Sequence, residues 1–363
     1  MSDKLIAWLC LKSAPGLKIR SILELLQKYP DPQSYVGKGD HALYSDAGVD
    51  PSVKEHLRGA VPHPKQEQIR KLCEHYGIKL LCLGEPDYPT GLANIVTPPL
   101  VLYYRGDLVK ALKQICLAVV GTRKPTAYGR DMCAKLLGPV CKHEVTIVSG
   151  LASGIDTCAH TAALKNGAQT IAVLASGVET IYPGSNKDLA RQIIEHGALV
   201  SEFEPGTKLD PWNFPTRNRI ISALAQNVFI VEGPLSSGAM LTAKFAIEQN
   251  RDVMALPGEI NHPNAQGPNY LIKNGAQCIT SPEDILSALG FDAEVKDQLE
   301  IMPEISADEQ KVFDLFKTEQ REITFDELLV QTGHNFGKLS TILLNLELKG
   351  YISKTGGNTF ILG

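Results

Sequence analysis

Between residues 100 and 289, short apolar runs alternate with segments whose apolar residues recur at helical spacing. The runs that we interpret as strands are Ile115–Val120, Val145–Val148, Thr170–Leu174, Ala198–Val200, Val228–Val231, Val253–Leu256 and Gln277–Ile279. Continuous apolar runs of this length are typical of parallel strands that are buried on both faces, with the intervening helices covering the sheet. The pattern therefore predicts an α/β fold built on a parallel sheet, in which ligands bind at the carboxyl ends of the strands.

Residues 1–95 have a different, mainly helical pattern. Leu5–Lys12 and Ile19–Tyr29 are apolar at helical spacing, the turn Ala14–Leu17 separates them, and Ile78–Leu83 is strand-like. A Pro-Gly turn between two short helices is typical of a helix-hairpin-helix, whose amides can contact phosphate, but a plain helical connection explains it as well. These residues are therefore predicted to form a helical N-terminal domain, and its contact with a ligand stays open.

An acidic segment, residues 290–304, precedes a second helical pattern. Three helices are predicted there, of which the second begins with the capping-box pair Thr324 and Glu327. Two short apolar runs on either side of Gly356–Asn358 then predict a hairpin. Three helices followed by a hairpin are typical of a winged helix. The predicted domains are the helical residues 1–95, the α/β core 96–289, the linker 290–304 and the winged helix 305–363.

Composition narrows the classes of protein that fit. The 363 residues carry a net charge of −4, so any site for a polyanion must be a local basic cluster. The eight cysteines include no C-x-x-C pair, which favours a reduced, cytoplasmic protein without a zinc site or a disulfide framework. No apolar run approaches the length of a membrane span, and we expect no membrane insertion.

Four turns in the core combine glycine, serine and basic residues next to a predicted strand or helix start. Amides at a helix N-terminus form a ready phosphate site, and arginine forks match phosphate geometry. Two less specific explanations stay open: a tight turn capped by Asp156, and neutralisation of the arginines by Glu202 or Glu204. The candidate phosphate-binding residues in these turns are Gly121, Thr122, Arg123, Lys124, Ser149, Gly150, Ser153, Gly154, Arg217, Asn218, Arg219, Ser237 and Gly238.

Catalytic or cofactor patterns are scarce. The turn at Gly121 is not a dinucleotide fingerprint, and we predict no cofactor and no metal. His160 lies among small apolar residues, which favours a packed histidine, and Cys158 has no activating cation near it in sequence. Glu232 and Glu259 are candidate acids by position alone. Phosphate-binding turns without a catalytic set predict a binding protein and not an enzyme.

At these turns the chain resembles the DprA/Smf family (DNA processing protein A), which mediates recombination in natural transformation. The resemblance covers roughly residues 100–285. It rests on VGTRKPTAYG (120–129), SGLASGIDTCAH (149–160), TIAVLASGVETIYPGSN (170–186), SEFEPG (201–206), FPTRNRIISAL (214–224), SSGAMLTAKFA (236–246) and GPNYLIKNGA (267–276). The helical N-terminal part and the winged helix are similar to those of family members with all three modules.

The resemblance implies an extended Rossmann-like core, a SAM-like N-terminal domain and a homodimer. It implies that the core binds and protects single-stranded DNA through its phosphates, passes the strand to the RecA recombinase and performs no catalysis. By motif, it implies a phosphate pocket formed by Gly121, Thr122, Arg123, Ser149, Gly150, Gly154, Asn186, Lys187, Arg217 and Arg219. Because aromatic residues are only 6% of the chain, we expect little base stacking and weak sequence preference.

Two other functions remain as alternatives. A Rossmann-like nucleotide phosphoribohydrolase would use the turn Ser236–Thr242 together with Glu248. A winged-helix regulator would sense a nucleotide in its core and read duplex DNA. The predicted recognition helix, however, carries only Lys338 and Lys349 against Glu347, which favours a protein contact or an accessory DNA role for this domain.

Overall fold

The computed structural model describes residues 2–291, 306–319, 321–349, 351–356 and 358–362. The chain forms two compact units, Met1–Phe291 and Asp292–Gly363. Most of the acidic linker predicted at 290–304 lies outside the described residues, so the linker stays a prediction.

The first unit begins with four helices that build a core of their own. Asp50 caps the third helix by accepting a hydrogen bond from the Ser52 amide, and Pro51 occupies its first turn. This core includes Leu9 and Ile69 from the helices and Tyr35 from the connection between the second and third helices, and it also contacts a strand of the sheet that follows. The helices are α1 (Ser2–Ser13), α2 (Ile19–Lys28), α3 (Pro51–Arg58) and α4 (Gln66–Tyr76).

A nine-stranded sheet organises the rest of this unit. Its strands are β1 (Lys79–Cys82), β2 (Val101–Gly106), β3 (Ile115–Val120), β4 (Val145–Ser149), β5 (Thr170–Val173), β6 (Gly197–Ser201), β7 (Asn227–Ile230), β8 (Asp252–Ala255) and β9 (Gln277–Cys278). The order is β1-β2-β6-β5-β4-β3-β7-β8-β9. β1 and β2 pair antiparallel with their neighbours, and the other pairs are parallel. The seven predicted core strands are confirmed as β3 to β9, whereas β2 was not predicted.

The sheet begins before residue 95, where the sequence analysis placed the domain boundary. Lys79 pairs with Tyr104, and Cys82 pairs with Val101, so β1 joins the helical part to the sheet. The strand-like pattern of Ile78–Leu83 was recognised, but the pattern alone does not show which sheet a strand joins. Domain bounds inside this unit stay a prediction.

Helices cover both faces of the sheet. They are α5 (Thr90–Ala93), α6 (Leu108–Leu112), α7 (Ala127–Val140), α8 (Ile155–Lys165), α9 (Lys187–Glu195), α10 (Asn213–Leu224), α11 (Gly238–Glu248), α12 (Gln266–Lys273) and α13 (Pro282–Ala288). One face packs against residues of α10 and α11 such as Ile220 and Ala243. The other packs against residues of α7 and α8 such as Leu137 and Ala159. Across the described ranges, none of the helices is long and apolar enough to span a bilayer.

Strand order reverses at β3. From β3 the chain adds β4, β5 and β6 on one side and β7, β8 and β9 on the other. Loops leaving the carboxyl ends of β3 and β7 therefore diverge to opposite faces and leave a crevice, which is where open α/β sheets bind ligands.

The second unit is a winged helix. It contains α14 (Ala307–Glu319), β10 (Ile323–Thr324), α15 (Phe325–Thr332), α16 (Phe336–Leu348), β11 (Ile352–Gly356) and β12 (Thr359–Leu362). Thr324 and Glu327 form the predicted capping box. The strands form one sheet in the order β10-β12-β11, and β10 was missed because two residues are too few to show a period.

Candidate functional site

A cavity of about 540 Å³ opens at the carboxyl ends of β3 and β7, at the reversal of strand order. Its walls are the loop after β3, the first turns of α10 and the N-terminus of α11. The structure brings eight of the predicted residues to this cavity: Gly121, Thr122, Arg123, Lys124, Arg217, Asn218, Ser237 and Gly238.

Arg123 and Lys124 are the exposed cations of the cavity. Their loop is held at both ends by Glu232, which lies just beyond β7. The Thr122 amide donates to the Glu232 carbonyl at 2.6 Å, and the Thr126 amide and hydroxyl donate to the Glu232 carboxylate at 2.9 and 2.5 Å. Glu232 is buried and anchors the basic loop, a role that its position in the sequence as a candidate acid did not indicate.

Glycines let the loop after β4 pack directly on the loop after β3. Gly154 has φ +87°, and a Cβ there would overlap the Thr122 carbonyl. The next residue, Ile155, donates its amide to that same carbonyl at 3.2 Å. Ser149 is buried and donates its hydroxyl to the Val119 carbonyl at 2.6 Å. Ser149 and Gly154 therefore shape the loops behind the cavity, while Ser153 is exposed on the same loop.

Arg217 lines the cavity but is only 4% exposed. Its guanidinium donates to the carbonyls of Gly150, at 2.7 Å, and of Val173, and to the Asn218 side chain at 3.2 Å. A Cβ at Gly150 would lie 2.5 Å from the guanidinium nitrogens. Arg217 is thus a structural arginine that ties α10 to β4 and β5, in contrast to the expected open phosphate contact.

Two further buried polar residues lie beside Arg217. Asp156 accepts hydrogen bonds from the amides of Gly150 and Ala152, at 3.2 and 3.3 Å, and burial raises the pKa of its carboxyl against the opposing charge of Arg217. His160 is fully buried, and burial lowers its pKa to about 3, with the Arg217 charge acting in the same direction. Its Nδ1 lies 2.7 Å from the Thr170 hydroxyl, which itself donates to a carbonyl, so Nδ1 carries the proton. His160 is the packed histidine that the sequence favoured.

Arg219 lies outside the cavity, contrary to the prediction. Its guanidinium pairs with Glu202, which is the neutralising carboxylate that the sequence analysis kept as an alternative. The reason is helical geometry. Residues two apart in a helix point about 200° apart, so Arg217 and Arg219 cannot share one face of α10. Helix α10 begins at Asn213, which places both arginines beyond its first turn.

Asn186 and Lys187 do not line the cavity either. Asn186 is buried and donates to the Leu151 carbonyl and to the Thr157 hydroxyl, at 2.9 Å each. Leu151 has φ 58°, a conformation that bulky residues rarely adopt, and the Asn186 hydrogen bond helps to hold it. Lys187 is exposed and is the first residue of α9.

The N-terminus of α11 faces the cavity without a side-chain cap. Ser237 is its N-cap residue, but no cap hydrogen bond forms, and the buried Ser237 hydroxyl has no partner in the described part of the chain. Gly238 and Ala239 at the start of the helix also line the cavity. An eleven-residue helix directs its positive dipole end and its first amides into this space, which is the arrangement that binds anions.

Aromatic side chains in and near the cavity were not singled out from the sequence. Phe214 lines the cavity, with its ring 5.0 Å from the Arg123 guanidinium and 6.0 Å from the ring of Tyr182. Tyr182 is 46% exposed and Trp212 is 83% exposed. Pro183 beside Tyr182 and Pro211 beside Trp212 could have indicated surface loops. The low aromatic content of the whole chain, however, gave no sign that these side chains lie near each other.

Candidate catalytic acids are poorly placed. Glu248 is the last residue of α11, so it lies about 15 Å along the helix axis from Gly238, where the helix begins beside the cavity. The Glu232 carboxylate is engaged by Thr126, and Glu259 lines a separate cavity of about 430 Å³. Nowhere in the described ranges do three or more His, Cys, Asp or Glu side chains form a group that could hold a metal ion.

The turn after α1 is flanked by carboxylates. A cavity of about 500 Å³ beside Pro15 and Gly16 is also lined by Glu24, Asp46 and Asp50. Asp46 pairs with Lys28 at 2.6 Å and Glu24 pairs with Arg20 at 3.2 Å, so the three carboxylates outnumber the two cations paired with them. This environment disfavours a phosphate at the turn and supports the plain helical connection.

Sequence comparisons identify related proteins over both units. The family described as DNA recombination-mediator protein A matches residues 79–290, and the DprA winged helix domain matches residues 301–358. The DNA processing protein DprA of Bacillus subtilis is 42% identical over 227 residues, which is 62% of this chain and 76% of that protein. Protein Smf of Escherichia coli is 40% identical over 276 residues, which is 74% of each chain.

Solved structures of two such proteins have the same fold. The X-ray structure of DprA from Streptococcus pneumoniae has a TM-score of 0.65 at 33% identity and covers 77% of this chain and 95% of its own. The structure of DNA processing protein A from Helicobacter pylori, described for its single-stranded DNA binding mode, has a TM-score of 0.55 at 31% identity and covers 60% and 98%. With both domain models matched and relatives aligned over most of their length, the chain belongs to the DNA recombination-mediator protein A family, the DprA/Smf proteins.

Proposed function

We propose that this protein binds single-stranded DNA at the cavity through its phosphates, protects the strand during natural transformation and passes it to the RecA recombinase without catalysis. The observation that carries the proposal is the pairing of two features across one cavity. Arg123 and Lys124 are exposed on one side, and the uncapped N-terminus of α11, with the unpartnered Ser237 hydroxyl, lies on the other. A phosphate bound between them would accept hydrogen bonds from the two basic side chains and from the first amides of α11.

Single strands fit this site better than duplexes. The cavity has an apolar floor that includes Phe214 and Ile221, beside which an unstacked base can lie. A duplex keeps its bases stacked inside and presents only its backbone. Net charge is −4, so affinity would come from this local cluster and not from a general basic surface.

The homodimer and the handover to RecA are supported by membership of the family. The non-catalytic role is supported by the placement of the candidate acids, since Glu232 anchors a loop and Glu248 lies at the far end of α11. We keep Gly121, Thr122, Arg123, Lys124, Ser237 and Gly238 as the proposed direct contacts.

The test is fluorescence anisotropy of a labelled oligothymidine and of its duplex counterpart, over a series of salt concentrations. Three or four phosphate contacts give a slope of log affinity against log salt of about −2 to −3. Arg123→Ala should weaken single-strand binding about tenfold or more and make the slope shallower by about 0.7. Lys142→Ala, an exposed lysine beyond the C-terminus of α7 at the opposite edge of the sheet, is the matched control and should change neither. Absence of single-strand binding at low salt would refute the proposal.

A further inference from the structure

Trp212 is an exposed aromatic residue that the cavity does not account for. It is 83% exposed, whereas Trp8, the other tryptophan of the chain, is 3% exposed in the helical core. Large aromatic side chains are usually buried, and those that stay exposed beside a binding site commonly mark a contact surface. Trp212 is not among the residues that line the cavity.

The backbone around Trp212 is fixed, so the exposure does not come from a loose loop. The Trp212 amide donates to the Asp210 carboxylate at 2.9 Å, and its carbonyl accepts from the Thr216 hydroxyl at 3.2 Å. The Asn213 side chain donates to the Ala175 carbonyl at 3.0 Å, which ties the start of α10 to the loop after β5. The indole is therefore presented to solvent from a rigid position.

Trp212 also lies next to the proposed path of the strand. It directly precedes α10 and is two residues from Phe214, whose ring lines the cavity and contacts both Arg123 and Tyr182. Residues two apart near a helix start point in different directions, so Trp212 extends the aromatic surface beyond the cavity rim.

Resting on the proposed function, we propose that Trp212 stacks on a base of the bound single strand, outside the phosphate cavity. The contact is to the face of a nucleobase and not to the backbone. The nearby charges oppose each other, since Lys208 and Asp210 are both exposed in the segment before Trp212. Stacking is tolerant of base identity and only weakly dependent on salt, in contrast to the phosphate contacts.

Intrinsic fluorescence tests this contact directly, because Trp8 is buried and Trp212 is the exposed emitter. Titration of the wild-type protein with oligothymidine should quench its emission, and Trp212→Phe should remove the quenching while keeping an aromatic ring. By anisotropy, Trp212→Ala should weaken oligothymidine binding about 5- to 100-fold with an unchanged salt slope. Trp212→Phe should lie between the two. A strand of the same length without bases should bind wild type and Trp212→Ala equally.

The outcomes separate this contact from the proposed function. Wild-type binding that depends on Arg123, without quenching and without an effect of Trp212→Ala, overturns the stacking contact and leaves the proposed function standing. An equal loss for the strands with and without bases also overturns it, because the role of Trp212 is then structural. A changed sedimentation coefficient of free Trp212→Ala, with unchanged affinities, assigns the residue to a protein contact and overturns it too. Lack of any single-strand binding by the wild type refutes both proposals.

Discussion

Substitution of Arg217 tests whether this arginine stabilises the fold or binds a phosphate. Its guanidinium donates to the carbonyls of Gly150 and Val173 inside the protein and neighbours the buried Asp156. Burial lowers its pKa to about 10, with Asp156 opposing that shift, so it stays charged at neutral pH. Arg217→Ala would remove the guanidinium hydrogen bonds to two carbonyls and leave Asp156 without the opposing charge of Arg217.

Removing one partner of such a buried charged network typically costs about 3–5 kcal/mol. For a domain of this size each kcal/mol lowers the melting temperature by about 2–4 °C, so the expected shift is on the order of 10 °C. Arg217→Lys keeps the charge but loses the planar fork, and a smaller loss is expected. Thermal and urea unfolding followed by circular dichroism measure both, with Arg123→Ala as the exposed control that should stay within about 0.5 kcal/mol of wild type.

Binding assays complete the test. At a temperature where Arg217→Lys remains folded, its affinity for oligothymidine should stay close to that of the wild type, whereas Arg123→Ala should bind weakly. The reasoning is refuted if Arg217→Ala unfolds like the wild type yet loses its affinity. Arg217 would then be the direct phosphate contact that the sequence suggested.

Two other predictions concern the buried histidine and the winged helix. The pKa of His160 is about 3 in the folded protein against about 6.5 when unfolded, so its contribution to stability is complete above pH 6.5 and is lost as the pH falls towards 3, by about 1.36 kcal/mol per pH unit. Urea unfolding at pH 7 and pH 5 should show a smaller pH effect in His160→Asn than in wild type, and equal effects would contradict this. Deletion of 305–363 should preserve most single-strand affinity, because Lys338 pairs with Asp308 at 2.6 Å and Lys349 with Glu309 at 2.9 Å. Loss of most of the affinity on deletion would show that this domain is the main DNA contact.

The strands were predictable because a parallel strand buried on both faces is apolar at most successive positions, as Ile115–Val120 is at all of them. Convergence of the turns at one edge followed from the same topology. Side-chain roles were not predictable in this way. Arg217 meets Gly150 and Val173 from distant parts of the chain, and the direction of Arg219 depends on its place in the turn of α10.

Composition was also a poor guide to local chemistry. Although the chain has few aromatic residues, Phe214 lines the cavity and its ring contacts that of Tyr182. Trp212 is exposed two residues before Phe214. An average cannot show such clustering, because Tyr182 follows β5 and Phe214 belongs to α10, and only the fold brings their rings near each other. Glu232 was likewise visible as an acid, but its partner Thr126 belongs to another loop.

The hydrogen bonds that join the loops after β3, β4 and β7 affect the rates at which a strand binds and leaves. The Thr122 carbonyl accepts from Ile155, the Thr122 amide donates to Glu232, and Gly154 packs against the same residue, so the cradle is held by bonds internal to the protein. Because the cavity is already formed, no segment of the protein has to become ordered when a strand binds. The association rate is then governed by diffusion, orientation and charge. Differences in affinity among variants should therefore arise mainly in the dissociation rate, and a bound strand can leave without any part of the protein refolding.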